Sequence, residues 1–486
     1  MGAFRENLTT RIAKIPMAMV VVPFATGIFF ADMVAVPMWL LLLGSVVALV
    51  GIIALAKWWQ NIALFTLIFS VGALLHTFSY RGEVEYNRPF EMVLKVESSS
   101  VVRKGCTSAN AEIEACETAA ISGRKVVIWG DSLVHLRAGD RLHLTAPVRP
   151  FRAERKQYAE LMHHRGFVGS VSVNHRAIYE YIPTERQSLH DWAVQRLQSS
   201  MREGDARAVV LAMTTGERCE IGDTLRQEYS ASGASHLLAV SGLHIGIAFM
   251  LINLLLFPLV LLRYGNVARS ILAVALIWLY VWLCGMSPSA VRAAIMFSLL
   301  QFSLSSMREY VSINVLAGAA FIMLSFASHQ LFDISFQLSF VEVAAIVLWA
   351  MPIYRLCATR FKVVNALLAL MLVGIASTLA TMPLVANTFS TISLIGIALN
   401  IVVIALANII VFCGVLALAI PPLAIIAEYA AITQNHIVTW AATLPYGHFD
   451  IHISDRAMWG IYLLFAVATL LIWLRPKREK MPKIEG

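Results

Sequence analysis

Polar and ionisable residues stand inside strongly apolar sequence, and they are the first candidates for chemistry. The stretch SGASHLLAVSGLHIG, Ser232 to Gly246, holds two histidines, three serines and three glycines. Polar groups left unsatisfied in hydrocarbon cost several kcal/mol each, so this stretch must face something other than lipid. Ionisable residues in such surroundings usually face a bundle interior or a water-filled cavity. We therefore predict a polar cavity whose lining includes His236, Ser241, His244, Arg292, Asp333, Gln337, Glu342 and Asn400.

The three ionisable members of this set each have a structural alternative. Asp333 precedes the apolar stretch ISFQLSF and could serve only as a helix N-cap. Glu342 lies roughly 180° further around an unbroken helix, so the two carboxylates should face different neighbours. Arg292 falls in the first turns of a helix that begins near Pro288, where free N–H groups favour an anion. It could line the cavity, pair with a carboxylate or extend to the membrane interface.

Catalysis and metal binding find less support in the same residues. Ser241 and His244 are close enough to touch, but no acidic residue that would orient the histidine lies within reach by spacing. His236 and His244 are about 80° apart on an unbroken helix, which does not give a two-ligand metal face. We therefore expect no enzyme, no metal site and no cofactor. An intramembrane hydrolase that uses Ser241, His244 and His236 remains an alternative.

The segments that hold these residues are long and apolar. Of the 486 residues, 58% are hydrophobic and 14% are charged, and the mean hydropathy is +0.71. About 20 apolar residues cross the roughly 30 Å of bilayer hydrocarbon, so the chain is predicted to be a polytopic α-helical membrane protein. Eleven windows of this kind occur, at 16–33, 36–56, 61–79, 236–262, 267–285, 288–306, 311–328, 333–353, 364–387, 392–420 and 456–474.

Lys and Arg predict the orientation of these windows. The basic N-terminus, Lys57 and the basic C-terminal tail should be cytoplasmic, because short loops on that side carry an excess of positive charge. An even number of crossings is then required, and eleven windows do not give it. The stretch 232–246 or the window 392–420 is therefore expected to be broken or re-entrant. The more polar stretch 423–444 is predicted to be an interfacial helix.

A long polar interval separates the third window from the fourth. Its segments FEMVLKVES, AEIEAC, RKVVIWG, DRLHLTAPV and GFVGSVSV alternate or cluster β-forming residues, with turn residues between them. They predict a small barrel of about five strands, which the odd number of preceding spans places outside the cytoplasm. From 186 to 204 the pattern becomes that of an amphipathic helix lying on the membrane or on the second apolar block. Its apolar stripe consists of Leu189, Ala193, Leu197 and Met201.

The back half of the predicted barrel is basic. Residues 141–176 contain seven Lys or Arg and two Glu, and Phe151, Tyr158 and Phe167 are interleaved with them. Cationic grooves with aromatic platforms suit single-stranded nucleic acid, because phosphates need cations and bases need stacking partners. A solvated basic face near anionic lipid is the alternative. The predicted DNA-binding residues are Arg149, Arg152, Arg155, Lys156 and Arg165.

Cysteine usage suggests one disulfide. Cys106 and Cys116 flank a short, mostly polar stretch of the predicted barrel. A disulfide persists outside the cytoplasm, so we predict that these two residues are bonded. The other four cysteines lie in or beside apolar sequence and are expected to be buried, and no C-x-x-C pair occurs.

Three stretches in order carry a family resemblance. GASHLLAVSGLHIG resembles the hallmark segment of the ComEC competence family, and GMSPSAVRAAIM and LFDISFQLSF resemble its two following signatures. LAMTTGER, Leu211 to Arg218, is similar to the lead-in of that family. The resemblance implies an OB-type barrel after the first spans and a membrane channel for bacterial DNA uptake. It differs in two respects: no proline follows Asn400 in LNIVVIALANI, and no H-x-H-x-D-H signature of the metallo-β-lactamase-like domain of longer members occurs.

Together these observations predict an inner-membrane channel that passes single-stranded DNA into the cytoplasm during natural transformation. The expected segments are three N-terminal spans in 1–80, an OB-like extracytoplasmic domain in 81–185, an amphipathic helix and lead-in in 186–231, the channel domain in 232–475 and a basic cytoplasmic tail in 476–486. Besides DNA and membrane lipids, the resemblance implies a periplasmic DNA receptor, a cytoplasmic helicase-type motor and a separate nuclease as partners. A secondary transporter for a small anion is a second alternative. The oligomeric state is left open.

Overall fold

Three apolar helices open the chain in the computed structural model. They are α1 Pro16–Met33, α2 Met38–Ala54 and α3 Lys57–Ser79. The structure describes residues 15–34, 36–54, 56–79, 86–97, 101–103, 106–117, 121–131, 136–137, 139–151, 159, 162–163, 165–173, 178–183, 188–305, 312–389, 391–393, 395–444, 448–451 and 453–474.

Helices α1 and α3 cross with their backbones in contact. Gly27 of α1 lies against the carbonyl of Phe69. Gly72 of α3 lies against the carbonyl of Phe24 in the same way. A methyl group at either position would collide with backbone, so only glycine allows this crossing. The Phe24 ring then packs edge-on against Phe321, which attaches the N-terminal helices to the later helical block.

The polar interval forms a closed barrel. Five strands follow one another around it in the order β1-β3-β4-β6-β5, and β5 pairs again with β1. Strands β4 and β6 are parallel, whereas the other neighbours in the ring are antiparallel. The strands are β1 Pro89–Val96, β2 Val101–Arg103, β3 Cys106–Cys116, β4 Lys125–Asp131, β5 Arg141–Arg149, β6 Phe167–Val173 and β7 Ile178–Ile182. Strands β2 and β7 extend the sheet beside β3 and β5.

Side-chain alternation explains why these segments close into a barrel. Along β5, Leu142, Leu144, Ala146 and Val148 point inward and are buried, while the residues between them face outward. Closure removes the exposed sheet edges that an open sheet of this size would leave. The predicted small five-stranded barrel is confirmed, and its Greek-key closure agrees with an OB-like domain.

The predicted disulfide between Cys106 and Cys116 is wrong. These residues are the first and last of the continuous strand β3. An extended strand rises about 3.3 Å per residue, so its two ends are roughly 30 Å apart. A disulfide requires Cα atoms within about 7 Å. The Cys116 thiol is free in the structure.

Three short helices connect the barrel to the second apolar block. They are α4 Leu189–Gln198, α5 Asp205–Thr214 and α6 Asp223–Ala231. Ser188 and Asp191 cap α4 reciprocally. The predicted helix over 186–204 is therefore shorter than expected, because the Ser199 and Ser200 hydroxyls bond to the carbonyl of Arg196 and compete with further helix.

Nine further helices form the second block within the described residues. They are α7 Gly242–Leu255, α8 Gly265–Leu283, α9 Pro288–Ser305, α10 Ser312–Phe326, α11 Ile334–Cys357, α12 Lys362–Phe389, α13 Ile395–Ala417, α14 Leu423–Ala442 and α15 Asp455–Leu474. Helix α5 is buried on every side from Ala208 onward and packs against α13 and α14. Single turns, Ser235–Leu238 and Ser328–Phe332, precede α7 and α11.

Each of the eleven apolar windows contains a helix. Within the described residues, five helices are long and apolar enough to cross a membrane, and four shorter helices are also apolar. The stretch 423–444 is helical as predicted, as α14. Its alanine-rich face, which includes Ala424, Ala427 and Ala431, is buried. The adjoining ribbon pairs β8 Thr391–Ser393 with β9 His448–Asp450.

Candidate functional site

Asp333 joins the barrel to the helical block. It is the N-cap of α11, and its Oδ1 accepts a hydrogen bond of 2.7 Å from the backbone N–H of Ser335. Its Oδ2 accepts a bond of 2.9 Å from Nε of Arg165, which stands in the turn before β6. The Asp333 side chain is 15% exposed and that of Arg165 is 38% exposed. The N-cap interpretation is therefore correct, and the ion pair that accompanies it comes from the barrel.

Arg292 approaches the same helix turn from α9. It is 4% exposed, and its Nη1 donates to the Ser335 hydroxyl at 3.2 Å. Its Nε has no hydrogen-bond partner among the described residues. Two guanidinium groups and one carboxylate thus meet around Ser335 and leave a net positive charge. We call Arg165, Arg292, Asp333 and Ser335 the Asp333 cluster.

A buried histidine holds the turn that leads into Asp333. His76 of α3 lies with Nδ1 3.1 Å from the Ser328 hydroxyl and with Nε2 3.3 Å from Oδ1 of Asp32. His76 is 3% exposed and Ser328 is 2% exposed. Burial of both side chains indicates that this Ser–His–Asp set ties α1 and α3 to the turn before α11. Sequence reasoning missed it because its members are far apart in the chain and belong to no motif.

The stretch Ser232 to Gly246 forms a capped helix start. His244 is fully buried, and its Nδ1 accepts a 3.1 Å hydrogen bond from the backbone N–H of Ser241. The ring therefore caps the first turn of α7, which gives no support to a Ser–His nucleophile. Its Nε2 is buried without a partner among the described residues. Just before this cap, the Val240 carbonyl accepts a hydrogen bond from the hydroxyl of Ser289, one turn ahead of Arg292 on α9.

The other predicted lining residues lie in separate surroundings. His236 is exposed, and Gln337 donates to the carbonyl of Leu331 at 2.9 Å. Glu342 accepts a 2.8 Å bond from the Ser377 hydroxyl on α12. Oδ1 of Asn400 is buried without a partner in the described part of the chain. Of the eight predicted residues, hydrogen bonds gather Arg292 and Asp333 around Ser335; a common channel for all eight stays a prediction.

A groove of about 620 Å³ runs beside α7, but it is apolar. Its lining includes Gly242 and Gly246 of α7, Phe297 of α9 and Phe412 of α13. A methyl group at Gly246 would stand 3.1 Å from the Phe297 ring, so Gly246 makes room for this ring. The eight predicted polar residues are not among those that line the groove, although Ser241 and His244 are sequence neighbours of its lining residues Gly242 and Leu243.

The predicted DNA-binding residues divide into three groups. Arg149 is exposed on the outer face of β5, opposite Ser170 of β6. Arg165 is held by Asp333. Arg152, Arg155 and Lys156 lie outside the described residues, as does Tyr158. Among the predicted aromatic platforms, Phe167 is buried against Val127 and Met162 and cannot stack on a base in this arrangement.

Trp129 is an aromatic platform that sequence reasoning missed. It is 43% exposed on the outer face of β4, between Ser108 of β3 and Ser172 of β6. Small side chains on both neighbouring strands leave its ring face open. By strand spacing it lies roughly 12 Å from Arg149. The signal was present in the alternation of VVIWG, because Val126 and Ile128 face the core and so Trp129 faces out.

His190 and Glu217 form a second ionisable contact outside the candidate spans. His190 of α4 donates through Nδ1 to the Leu283 carbonyl at 2.8 Å and faces Oε2 of Glu217 through Nε2 at 3.4 Å. Burial lowers the pKa of His190, but these two acceptors outweigh burial and raise the pKa above its ordinary value. The hydrogen bond from His190 lowers the pKa of Glu217 to about 2. This contact fixes α4 against the end of α8.

The architecture defines a class of protein: apolar helices with a small barrel inserted after the first three. A family model described as Competence protein matches residues 213–478, which is more than half of the chain. The chain belongs to this Competence protein family, which confirms the resemblance carried by its three ordered motifs. No solved structure matches the chain.

Three relatives share part of the sequence. ComE operon protein 3 of Bacillus subtilis is 30% identical over 207 residues, which cover 42% of this chain and 25% of that protein. An uncharacterized protein of Aquifex aeolicus is 26% identical over 52% of this chain and 56% of its own length. The uncharacterized protein YcaI of Escherichia coli is 26% identical over 46% of this chain and 30% of its own length. The chain therefore spans between a quarter and about half of the length of these relatives.

Proposed function

We propose that this protein is a bacterial inner-membrane channel that passes single-stranded DNA from the outer side to the cytoplasm during natural transformation. Membership of the Competence protein family supports a role in DNA uptake. The observation that carries the proposal is the Asp333 cluster. There a cation of the barrel and a buried cation of the helical block meet at one point. A polyanion leaving the barrel would enter the helices at this junction.

The barrel supplies the outer part of the proposed path. Trp129 offers a stacking face and Arg149 a phosphate contact on the same outward surface. Their separation of roughly 12 Å corresponds to about two nucleotides of extended strand. The path continues past Arg165 to Arg292 at the start of α9, where the helix dipole adds positive potential. His236, Ser241 and His244 are proposed to offer further hydrogen bonds without holding a polyanion too tightly to move.

The proposed orientation places the barrel outside and both termini in the cytoplasm. Basic residues at both ends of the chain support this arrangement. A periplasmic DNA receptor would then deliver the strand to the barrel, and a helicase-type motor would draw it in from the cytoplasm. A separate nuclease would supply the single strand, because this chain is proposed to conduct DNA and not to cut it.

Transformation of a deletion strain tests the proposal most directly. Labelled DNA is followed separately into a nuclease-protected periplasmic pool and into the cytoplasm, in the deletion strain and in the strain complemented with the wild-type gene. We expect DNA to accumulate in the periplasm of the deletion strain and to stay out of its cytoplasm. Normal cytoplasmic entry without the protein would refute the channel, whereas loss of the periplasmic pool would indicate a role in capture instead.

A further inference from the structure

The Asp333 cluster resembles an anion-binding site in which the bound anion is a side chain of the protein, the Asp333 carboxylate. Oδ2 of Asp333 accepts a 2.9 Å hydrogen bond from Nε of Arg165, where the barrel meets α11. Arg292 brings a second cation to the same turn and is 96% buried, given its 4% exposure. Its Nε finds no partner among the described residues. Burying a guanidinium N–H without an acceptor is costly, so this side chain can receive an oxygen ligand that the described residues do not supply there.

The chemistry of that ligand follows from the donors. Guanidinium groups match the paired oxygens of carboxylates and phosphates better than other acceptors. The two arginines carry more positive charge than one carboxylate neutralises. A phosphodiester anion could therefore replace the Asp333 carboxylate on Arg165 while it also satisfies Arg292. Asp333 would keep its hydrogen bond from the Ser335 N–H, which needs no arginine.

We propose that the Asp333 carboxylate competes with the phosphodiester backbone of the incoming strand for binding to Arg165. Without DNA, Asp333 neutralises Arg165, and this ion pair holds the barrel against the helical block. When a phosphate binds to Arg165 and Arg292, the ion pair breaks and the barrel is released from α11. This inference rests on the proposed function, because the Arg165–Asp333 ion pair would close the proposed DNA path when no strand is present. The exchange moves charges only, and no bond is made or broken.

The direction in which two substitutions change DNA affinity distinguishes this competition from a purely structural ion pair. Asp333→Asn keeps the N-cap, since asparagine caps as well as aspartate, but removes the competing charge. Arg165→Gln removes the guanidinium group that would bind the phosphate. Both variants break the same ion pair. A structural role therefore predicts the same change in both, whereas competition predicts opposite changes.

Oligothymidine binding to the full-length protein in phosphatidylcholine nanodiscs provides the measurement. We expect Asp333→Asn to tighten binding by about threefold or more, and Arg165→Gln to weaken it. Arg165→Gln should also lower the slope of log Kd against log salt by about 0.7, the value for one lost contact to a single-stranded phosphate. Glu114→Gln is the matched control. It removes one acid from the exposed Arg141–Glu114 ion pair of the barrel and should change little.

Each other outcome overturns the inference. Weaker binding in both Asp333→Asn and Arg165→Gln means that the ion pair only holds the barrel in place, and the proposed function then still stands. Equal tightening by Glu114→Gln means that net charge alone is responsible. Loss of the Asp333→Asn effect when phosphatidylglycerol is added means that the site takes a lipid phosphate and not the strand. No binding by the wild type removes the inference and the proposed DNA path together.

Discussion

At the scale of single residues, Trp129 allows the sharpest test of the barrel surface. Its ring is exposed between serines on the outer face of β4. Stacking of a base on an aromatic ring is worth about 1–3 kcal/mol, so Trp129→Ala should weaken oligothymidine binding by roughly 5- to 150-fold. Trp129→Phe should retain most of the affinity, because phenylalanine keeps a stacking face. Fluorescence anisotropy with the full-length protein measures both variants.

Trp192 of α4 offers a matched control for that experiment. It is 47% exposed, similar to Trp129, but it lies outside the barrel. Trp192→Ala should therefore leave oligonucleotide affinity unchanged. Equal losses from Trp129→Ala and Trp192→Ala would point to a general loss of structure, and no loss from either would remove β4 from the path.

Arg292 is the residue on which the inner part of the path depends. Arg292→Glu places a second carboxylate beside Asp333 and reverses the charge at the start of α9. We expect it to abolish cytoplasmic entry of DNA, while Arg292→Lys keeps the charge and retains part of the uptake. Both are scored by transformation together with the amount of protein in the membrane. Wild-type uptake with Arg292→Glu would exclude a role in conduction, whereas disappearance of the protein from the membrane would favour a structural role of Arg292.

Sequence reasoning identified Arg292 and Asp333 because ionisable residues in apolar sequence are costly and therefore informative. It did not find the partner of Asp333, which is Arg165. Arg165 is one of many basic residues in the barrel, and nothing in its local sequence distinguishes the arginine that faces Asp333 from those that face water. Glu342 and Ser377 illustrate the same limit, since their contact depends on how α11 and α12 pack.

At the scale of elements, the docking of α4 should depend on pH. The raised pKa of His190 means that its contribution to stability is complete below its ordinary pKa of 6.5 and is lost as the pH rises through the raised value. The lowered pKa of Glu217, about 2 against 4.5, means that its contribution is present above 4.5 and is lost as the pH falls toward 2. The contact is therefore fully formed between about pH 4.5 and 6.5.

Hydrogen exchange of α4 measures this dependence. After correction for intrinsic rates, its amides should be better protected at about pH 5.5 than at about pH 8.5. His190→Gln should abolish the difference, because glutamine keeps hydrogen-bonding capacity without a titratable charge. The amides of β5 in the barrel core serve as the internal reference. The same pH dependence in His190→Gln would assign it to another group.

Elements were predicted well where one periodicity dominates. Alternation along β5 and apolar windows of sufficient length both follow from burying one face or all faces of a single segment. The length of β3 was missed, and the disulfide prediction failed with it. Its second half, AEIEAC, is predicted as a β-forming segment, whereas the preceding TSAN resembles a polar loop. Ala109 is nevertheless buried in the barrel together with Ala111 and Ile113. Small alanines at inward positions are weak signals of a strand.

At the scale of the whole molecule, the β8–β9 ribbon bears on the number of membrane crossings. Its strands follow α12 and α14, so the ends of these two helices lie at the same end of the block. The hairpin of α13 and α14 must then cross the membrane twice or not at all. We predict that α14 crosses the membrane. The three N-terminal helices and α7 to α15 then give twelve crossings, an even number, as the proposed cytoplasmic position of both termini requires. This favours a span over the interfacial helix that its polar sequence suggested.

Single-cysteine labelling tests the twelve-span arrangement in a variant without its native cysteines. A membrane-impermeant maleimide added from outside should modify His448→Cys in the ribbon as readily as Ser172→Cys on the barrel. Ala419→Cys, in the connection between α13 and α14, should react only after permeabilisation. Reaction of Ala419→Cys from outside, or protection of His448→Cys, would contradict twelve crossings.

The last helix reaches back past its neighbours in the chain. The Tyr462 hydroxyl donates to the Ala380 carbonyl at 2.9 Å, and Nε1 of Trp349 donates to the Thr469 hydroxyl at 2.8 Å. Trp349 and Thr469 are 120 positions apart. At a synthesis rate of about 5–20 residues per second, α11 waits on the order of ten seconds for the partner that its indole needs. A nascent chain interrupted in that interval therefore lacks the acceptor for the Trp349 indole N–H.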